Sequence, residues 1–105
     1  MSVPAYTIRP ARAVRDYMET LGPEEARRLK RALRGLAEGR GDIAALHEPL
    51  DEFYRLRVGA HRVIYWHRAG RVIECVYAGH RSLVYVEFER QMLALMRERK
   101  SSMPE

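Results

Sequence analysis

The sequence has little cysteine, little lysine and no long apolar run. Its one cysteine, Cys75, cannot form an internal disulfide, which excludes a disulfide-stapled scaffold and favours a reducing compartment. No apolar run is long enough to span a bilayer, and the first residues, MSVPAYTIRP, lack the basic-then-apolar order of a secretory leader. We therefore expect a cytoplasmic protein that is not associated with a membrane.

The common sequence motifs of metal and nucleotide chemistry are absent as well. The chain contains no HExxH or CxxC pattern, no glycine-rich phosphate loop and no evident Ser-His-Asp set. His47, His61 and His67 do not stand at a spacing that is typical of metal ligands. We expect neither a metal ion nor another cofactor.

Basic residues are abundant, and nearly all of them are arginine. Of the 19 Lys and Arg residues, only Lys30 and Lys100 are lysine, and the formal net charge is +5. A guanidinium stays charged at any working pH and can bind phosphate through two parallel hydrogen bonds. A GC-rich genome would also favour arginine over lysine, but it would not explain where the charges lie. The composition indicates a nucleic acid or another acidic partner.

Periodicity in the N-terminal part predicts one strand followed by two helices. Residues 5–9 alternate between apolar and polar side chains, and a helical spacing of apolar residues then continues to about residue 21. The pair Gly22-Pro23 breaks this helix and opens a second one, whose apolar stripe lies opposite a face rich in arginine. Gly39 is expected to end the second helix, and a loop follows.

Three strand-like runs and a helix-like tail complete the chain. The runs cover residues 53–58, 61–67 and 71–80, and the short turns Gly59-Ala60 and Ala69-Gly70 separate them. The resulting order, β-α-α-β-β-β-α, predicts an α+β fold with an antiparallel sheet, two N-terminal helices on one face and a C-terminal helix. We expect residues 1–105 to form a single domain.

The strand pairing follows if both turns contain two residues. The first turn pairs Arg57 with Arg62, and the second pairs Arg62 with Tyr77. One end of one sheet face then carries a cluster of cations and a phenol: Arg55, Arg57, Arg62, Tyr77 and Arg81. A three-residue second loop with a bulge would put His80 on this face in place of Arg81.

The same pairing predicts what covers the two sheet faces. The helix-facing side is expected to consist of Tyr54, Leu56, Val58, Val63, Tyr65, Val72 and Val76. Beyond its arginine cluster, the other side is apolar and consists of Phe53, Ile64, Trp66, Ile73 and Cys75. This apolar part needs a cover, which is either the C-terminal helix or a partner protein.

A group of motifs runs through residues 53–85. They are a basic strand, a tight turn, the segment HRVIY with Arg62, and the segment GHRSLVY with Arg81 and Tyr85. These motifs and the element order resemble the RelE/ParE superfamily of bacterial toxins, and RelE-type mRNA interferases in particular. The resemblance implies the toxin of a type II toxin–antitoxin system, an endoribonuclease that cuts mRNA in the ribosomal decoding site without a metal. It also implies a cognate antitoxin as partner and a monomer when free.

The resemblance gives roles to individual residues. In the implied reaction the RNA 2′-hydroxyl attacks the neighbouring phosphate, which leaves a cyclic phosphate and a free 5′-hydroxyl. Arg62 matches the phosphate-stabilising arginine, Arg81 the arginine near the leaving group, and Tyr85 the tyrosine that stacks on or orients the nucleotide. Arg55 stands where the family often has lysine, and Arg57 is a second cation of the same strand; both are expected to bind RNA.

Arg55 departs from the family pattern in its chemistry. A lysine with a lowered pKa can lose its proton, whereas an arginine effectively cannot. The proton would then be carried by Tyr85 or His80, which we count as catalytic candidates. Tyr85 could instead anchor the C-terminal helix, and His80 could be a hydrogen-bonding residue at a strand end. Tyr77, on the same predicted face as Arg57, is expected to contact RNA.

Two other functions stay open at this point. A ParE-like relative would poison DNA gyrase by binding and would have no nuclease site, and a non-catalytic relative would only bind RNA. The GHR motif together with Arg62 and Tyr85 favours the nuclease. Arginine at position 55 weakens that interpretation.

Overall fold

The computed structural model describes residues 5–81 and 84–102, with side chains up to residue 95. In chain order, its elements are β1 (Thr7–Pro10), α1 (Arg12–Glu19), α2 (Pro23–Ala37), β2 (Asp42–Ala45), β3 (Tyr54–Val58), β4 (His61–Arg68), β5 (Val72–His80) and α3 (Val84–Ser102). The predicted α+β class, the three helices and the four predicted strands are confirmed. Strand β2 is an addition, since the sequence analysis placed its residues in a loop. No helix in these ranges has the length and apolar character needed to cross a bilayer.

The five strands form one sheet in the order β1-β5-β4-β3-β2. The pairs β2–β3, β3–β4 and β4–β5 are antiparallel, and the last two are the predicted ones; β1 pairs with β5 in parallel, which was not predicted. The reason is the connection between β1 and β2, which lie at opposite edges. Helices α1 and α2 carry the chain across one face of the sheet from the first edge to the second.

Helix α2 covers this face with the apolar stripe that the sequence predicts. Pro23 occupies the first turn of the helix, where a backbone N–H would have no intrahelical acceptor, so the missing N–H of proline costs no hydrogen bond. Glu24 and Glu25 lie at the positive end of the helix dipole. Its inward side chains belong to a core shared with α1 and the sheet, which consists of Val14, Leu29, Leu33, Leu36, Leu56, Val58, Val63, Tyr65, Ile73, Cys75 and Ala78.

Helix α3 covers the apolar part of the other face. The sequence predicted either this helix or a partner protein as the cover. Its buried residues Val84 and Phe88 join Leu50, Phe53 and Ile64 in a second cluster. Gly79 of β5 lies against this helix, since a Cβ at that position would be 3.4 Å from the Cβ of Val84, an ordinary contact distance. The start of α3 is therefore fixed against the end of β5.

The β4–β5 turn has three residues, which is the alternative left open in the sequence analysis, and not the two on which the predicted strand pairing was based. Gly70 and Arg71 both adopt positive φ angles, 79° and 58°, and Arg68 pairs with Val72 across the turn. The extra residue shifts the pairing by one, so the alternation along the first half of β5 is reversed relative to the prediction. In consequence, Ile73 and Cys75 lie in the helix-side core, whereas Val76 packs in the α3 cluster; the pairing also moves Val72 off the helix side.

A β-bulge then reverses the alternation a second time. Tyr65 pairs with Cys75, but the next residue of β4, Ile64, pairs with Tyr77, so Val76 has no partner across the ladder. The predicted pair of Arg62 and Tyr77 is therefore wrong, since Arg62 faces Gly79. Tyr77 nevertheless lies on the face where the sequence analysis placed it, because two single-residue shifts cancel.

Cys75 is a buried core residue, and its chemistry can be tested. Burial and the nearby carboxylate of Glu74 raise the pKa of its thiol to about 12. A thiol with a raised pKa is protonated at pH 8, and the protonated form is a poor nucleophile. We expect the native protein to react with Ellman's reagent far more slowly than the chain unfolded in guanidinium chloride. Rapid, stoichiometric reaction of the native protein would contradict the burial.

Candidate nucleic-acid interface

Four of the predicted site residues lie on one side of the sheet, the side that α3 partly covers. Arg57 pairs directly with Arg62, and Arg62 in turn with Gly79; in the next row, Arg55 pairs with Ile64, which faces Tyr77. Side chains directly opposite each other on neighbouring strands have Cβ atoms about 4.5–5.5 Å apart. The sheet thus brings Arg55, Arg57 and Arg62 together on one face, as predicted.

Arg62 has an unusual environment for a cation. The residue is only 8% exposed, and its Nη1 donates hydrogen bonds to two backbone carbonyls, of Gly59 at 2.8 Å and His61 at 2.9 Å. Within the described residues it forms no ion pair, and its Nε and Nη2 make no hydrogen bond. A bidentate contact with an anion would satisfy these two nitrogens.

Arg81 is anchored at the same turn by its main chain. It follows the last residue of β5, and its backbone amide donates to the carbonyl of Ala60 at 2.8 Å. Its side chain is exposed, and no ion pair within the described residues includes it. The Gly59-Ala60 turn therefore holds the guanidinium of Arg62 and the backbone of Arg81, which brings the two predicted catalytic arginines to one end of the sheet.

A hydrogen-bonded network supports this turn from the helix side. Tyr17 Oη lies 2.6 Å from His61 Nδ1, and His61 Nε2 lies 2.7 Å from Glu25 Oε2. Glu25 is also 4.0 Å from the guanidinium of Arg28, which lies against the turn: a Cβ at Gly59 would be 2.8 Å from Arg28 Nη1. Burial, and secondarily the charge of Glu25, raise the pKa of Tyr17, so its hydroxyl stays protonated and able to donate. The network fixes the residue that precedes Arg62.

Arg55 and Arg57 share one carboxylate, that of Asp42 in β2. Arg55 Nη1 lies 3.2 Å from Oδ1 of Asp42 and donates to its carbonyl at 3.0 Å, and Arg57 Nε lies 3.8 Å from Oδ2. This carboxylate offsets the repulsion between neighbouring guanidiniums. Asp42 was not among the predicted site residues, because four residues, DIAA, are too few to show strand alternation.

A groove of about 520 Å³ lies between α3 and the segment that links β2 to β3. Its apolar lining includes Leu50 and Phe88, and its polar lining consists of His47, Glu48, Arg55, Tyr85 and Glu89. Tyr85 is partly buried and packs against the α3 cluster, so it anchors the helix and also lines the groove. We call this space the Tyr85 groove; it places an imidazole, a phenol, a guanidinium and two carboxylates around one apolar cleft.

The positions of two histidines, His80 and His47, differ from what the sequence suggested. His80 pairs with His61, whose ring contacts Tyr17 and Glu25, so His80 lies on the α1–α2 side of the sheet, away from the face of Arg62. His47 was considered only as a metal ligand, yet it lines the Tyr85 groove. No pattern in the sequence distinguishes it, because its position depends on β2 and on how the following loop meets α3. In the described ranges, no three His, Cys, Asp or Glu side chains are grouped as a metal site.

The network behind the turn makes a stability prediction. Tyr17→Phe removes one hydrogen bond and should lower the free energy of unfolding by about 0.5–1.5 kcal/mol, while His61→Leu removes two and should cost about 1–3 kcal/mol. Tyr54→Phe is a matched control, because the Tyr54 hydroxyl makes no hydrogen bond within the described residues. Urea denaturation measures all three; equal effects for Tyr17→Phe and Tyr54→Phe would contradict the network.

Comparisons with known proteins agree with this architecture. No protein-family model and no curated protein matches the chain. Among solved structures, a chain of the toxin–antitoxin complex RelBE2 from Mycobacterium tuberculosis matches with a TM-score of 0.64 and 23% identity, over 75% of this chain and 100% of that one. A chain of the archaeal RelE–RelB complex from Pyrococcus horikoshii matches with a TM-score of 0.61 and 24% identity, over 76% of this chain and 99% of that one. At such identities a likeness concerns the fold, and the chain has a RelE-like fold.

Proposed function

We propose that this protein is the toxin of a type II toxin–antitoxin system and cleaves mRNA, on the ribosome, as a metal-independent endoribonuclease. The observation that carries the proposal is the environment of Arg62. A buried guanidinium that has, among the described residues, no carboxylate partner and no hydrogen bond at two of its nitrogens suits a phosphate diester. It lies on the face of Arg55, Arg57 and Tyr77.

The arginines take the electrostatic part of the reaction. As the 2′-oxygen bonds to phosphorus and the bond from phosphorus to the 5′-oxygen breaks, negative charge builds up on the phosphoryl oxygens. Arg62, held by two carbonyls before any ligand arrives, stabilises this charge without reorganisation. Arg81 lies at the same turn and stabilises the departing 5′-oxygen, which takes a proton from water.

The Tyr85 groove takes the proton-transfer and positioning part. Histidine can accept a proton near neutral pH, and His47 lines this groove together with Tyr85 and Arg55. We assign removal of the 2′-hydroxyl proton to His47, orientation of the nucleotide to Tyr85 and phosphate binding to Arg55. This assignment replaces His80, which pairs on the opposite side of the sheet, and it removes the need for a lysine base.

The partner and the location belong to the same proposal. The two matching structures are toxin–antitoxin complexes, and this chain carries a net charge of +5, which suits an acidic antitoxin. We propose that such an antitoxin covers the sheet face that carries Arg55, Arg57 and Arg62, which we call the arginine face. We further propose that the free toxin is a monomer and that both proteins act in the cytoplasm.

The role of the two arginines can be tested by mRNA cleavage. Arg62→Ala and Arg81→Ala should each lower the rate of mRNA cleavage in a translating extract about 10²–10³-fold, because each removes charge stabilisation from the transition state. Arg12→Ala is the matched control: Arg12 is a highly exposed arginine of α1, outside the site. Circular dichroism and urea denaturation establish that each variant is folded.

The same experiment separates the competing functions. Plasmid supercoiling by DNA gyrase is measured beside cleavage with the wild-type protein. Arrest of supercoiling without mRNA cleavage would identify a ParE-like activity, and RNA binding without either effect would identify a non-catalytic relative. Equal cleavage by wild type, Arg62→Ala and Arg81→Ala would contradict the mechanism.

The base assignment gives a separate prediction for His47. His47→Gln should lower the single-turnover cleavage rate about 10²–10⁴-fold, the usual contribution of a general base, while leaving RNA affinity within about twofold. An RNA with 2′-deoxyribose at the cut site should resist the wild-type protein, since the nucleophile is missing. Wild-type rates in His47→Gln would remove His47 from the mechanism without affecting the role of Arg62.

A further inference from the structure

A second groove lies at the other side of β3, beside helix α2. It has a volume of about 350 Å³, and four guanidiniums line it, those of Arg28, Arg31, Arg40 and Arg57. We call it the α2 groove. Its other lining residues are glycine or apolar and include Gly59 and Leu56. The proposed cleavage reaction does not use Arg28, Arg31 or Arg40.

Two glycines with positive φ angles lie in the lining of this groove. At Gly59, φ is +60° and a Cβ would lie 2.8 Å from Arg28 Nη1, while at Gly41, φ is +140° and a Cβ would lie 2.6 Å from Cδ1 of Leu56. Such φ angles favour glycine at both positions. The guanidinium of Arg28 therefore lies against the backbone of Gly59, and the side chain of Leu56 lies against that of Gly41.

The cations of the α2 groove are only weakly satisfied within the protein. Arg28, Arg40 and Arg57 face Glu25, Glu38 and Asp42, and these side chains are partly exposed. Exposed ion pairs are weak and readily exchanged for a more highly charged ligand. Arg31 forms no ion pair within the described residues. The groove therefore has an excess of positive charge that a polyanion would satisfy.

Asp42 connects the two grooves. Its two carboxylate oxygens hold Arg55, which lines the Tyr85 groove, and Arg57, which lines the α2 groove. Arginines therefore continue from Arg55 in the Tyr85 groove, past Asp42, through Arg57 to helix α2. A strand with one charge per nucleotide matches this arrangement better than a compact anion does, since the cations are spread along a path.

We infer that the α2 groove binds the sugar–phosphate backbone of the RNA strand beyond the nucleotides held in the Tyr85 groove. This inference rests on the proposed function, which it extends from the cleaved phosphate to the flanking strand. The ligand class is single-stranded RNA, recognised by its charge and not by its bases. An acidic protein segment and ribosomal RNA are the competing occupants.

The salt dependence of RNA binding tests the inference. Arg28→Gln/Arg31→Gln removes two groove cations and keeps side chains that suit a helix. With an RNA of about 16 nucleotides, 2′-O-methylated so that it cannot be cut, the slope of log K against log salt should become less steep by about 1.4, or about 0.7 per lost phosphate contact. With an RNA of about four nucleotides, the slope should not change, because the strand ends before the α2 groove.

A matched control comes from the same helix. Arg27→Gln/Arg34→Gln removes the same charge from two exposed arginines of α2 that do not line the groove. It should leave the slope within about 0.3 of wild type for both RNAs. Because Arg28 also touches the Gly59 turn, Arg31→Gln/Arg40→Gln is a second groove variant that spares this contact and should reproduce the change.

Three results would overturn the inference. One is equal slopes for groove and control variants with the longer RNA. Another is unchanged RNA binding with weaker binding of poly-L-glutamate by the groove variants, which would assign the groove to an acidic protein. A third is unchanged oligonucleotide binding with weaker binding of ribosomes, which would assign it to ribosomal RNA.

The outcome is independent of the cleavage test. Binding is measured on RNA that cannot be cut, so a protein without nuclease activity can still show the predicted slopes. If the wild-type protein cleaves mRNA but the groove and control variants have equal salt slopes, the α2 groove is rejected and the proposed function is kept. If the predicted difference in slopes appears without cleavage, the α2 groove is kept and the proposed nuclease function is rejected.

Discussion

The candidate site depends on one buried cation held by a two-residue turn. Burying a guanidinium is unfavourable unless its hydrogen bonds are satisfied, and the carbonyls of Gly59 and His61 satisfy only one of its nitrogens. The turn is itself held from three directions: by the amide of Arg81, by Arg28, and by the pair of His61 and Glu25 behind it. The position of Arg62 is therefore fixed by the fold before any ligand binds, which is the condition for electrostatic catalysis.

The other arginines of the arginine face are balanced by a carboxylate. Asp42 gives Arg55 and Arg57 a common counter-ion, so the free protein tolerates adjacent guanidiniums at the sheet edge. A phosphate that approaches these arginines competes with one carboxylate and not with a network of them. The sheet thereby combines a rigid cation at the turn with exchangeable cations at its edge, and two grooves open from that edge on either side of β3.

Much of the fold could be predicted from the sequence, because long elements with strong periodicity dominate it. The stripe of α2, the Gly59-Ala60 turn and the pairing of Arg57 with Arg62 all follow from local patterns. The face shared by Arg55, Arg57 and Arg62 could be derived for the same reason. The parallel pairing of β1 could not, since it depends on how far α1 and α2 carry the chain across the sheet.

The parts that the sequence did not predict are those set by single residues or by distant contacts. Arg71 adopts a left-handed conformation that nothing in AGR requires, so the sequence alone could not decide between a two-residue and a three-residue β4–β5 turn. Four residues of β2 carry too little alternation to be recognised, so Asp42 was missed. His47 reaches the Tyr85 groove through contacts between a loop and α3, which no spacing along the chain encodes.

The bulge at Val76 allows β5 to contain one residue more than β4 without exchanging its two faces. The pairs on either side of it, Tyr65 with Cys75 and Ile64 with Tyr77, follow each other as they would in a regular ladder. Loss of Val76 would therefore leave Tyr77 opposite Ile64 and Gly79 opposite Arg62. An insertion or deletion in a regularly paired part of the strand would instead exchange the two faces from that point on. Val76 is thus the position of β5 at which a change in chain length disturbs the arginine face least.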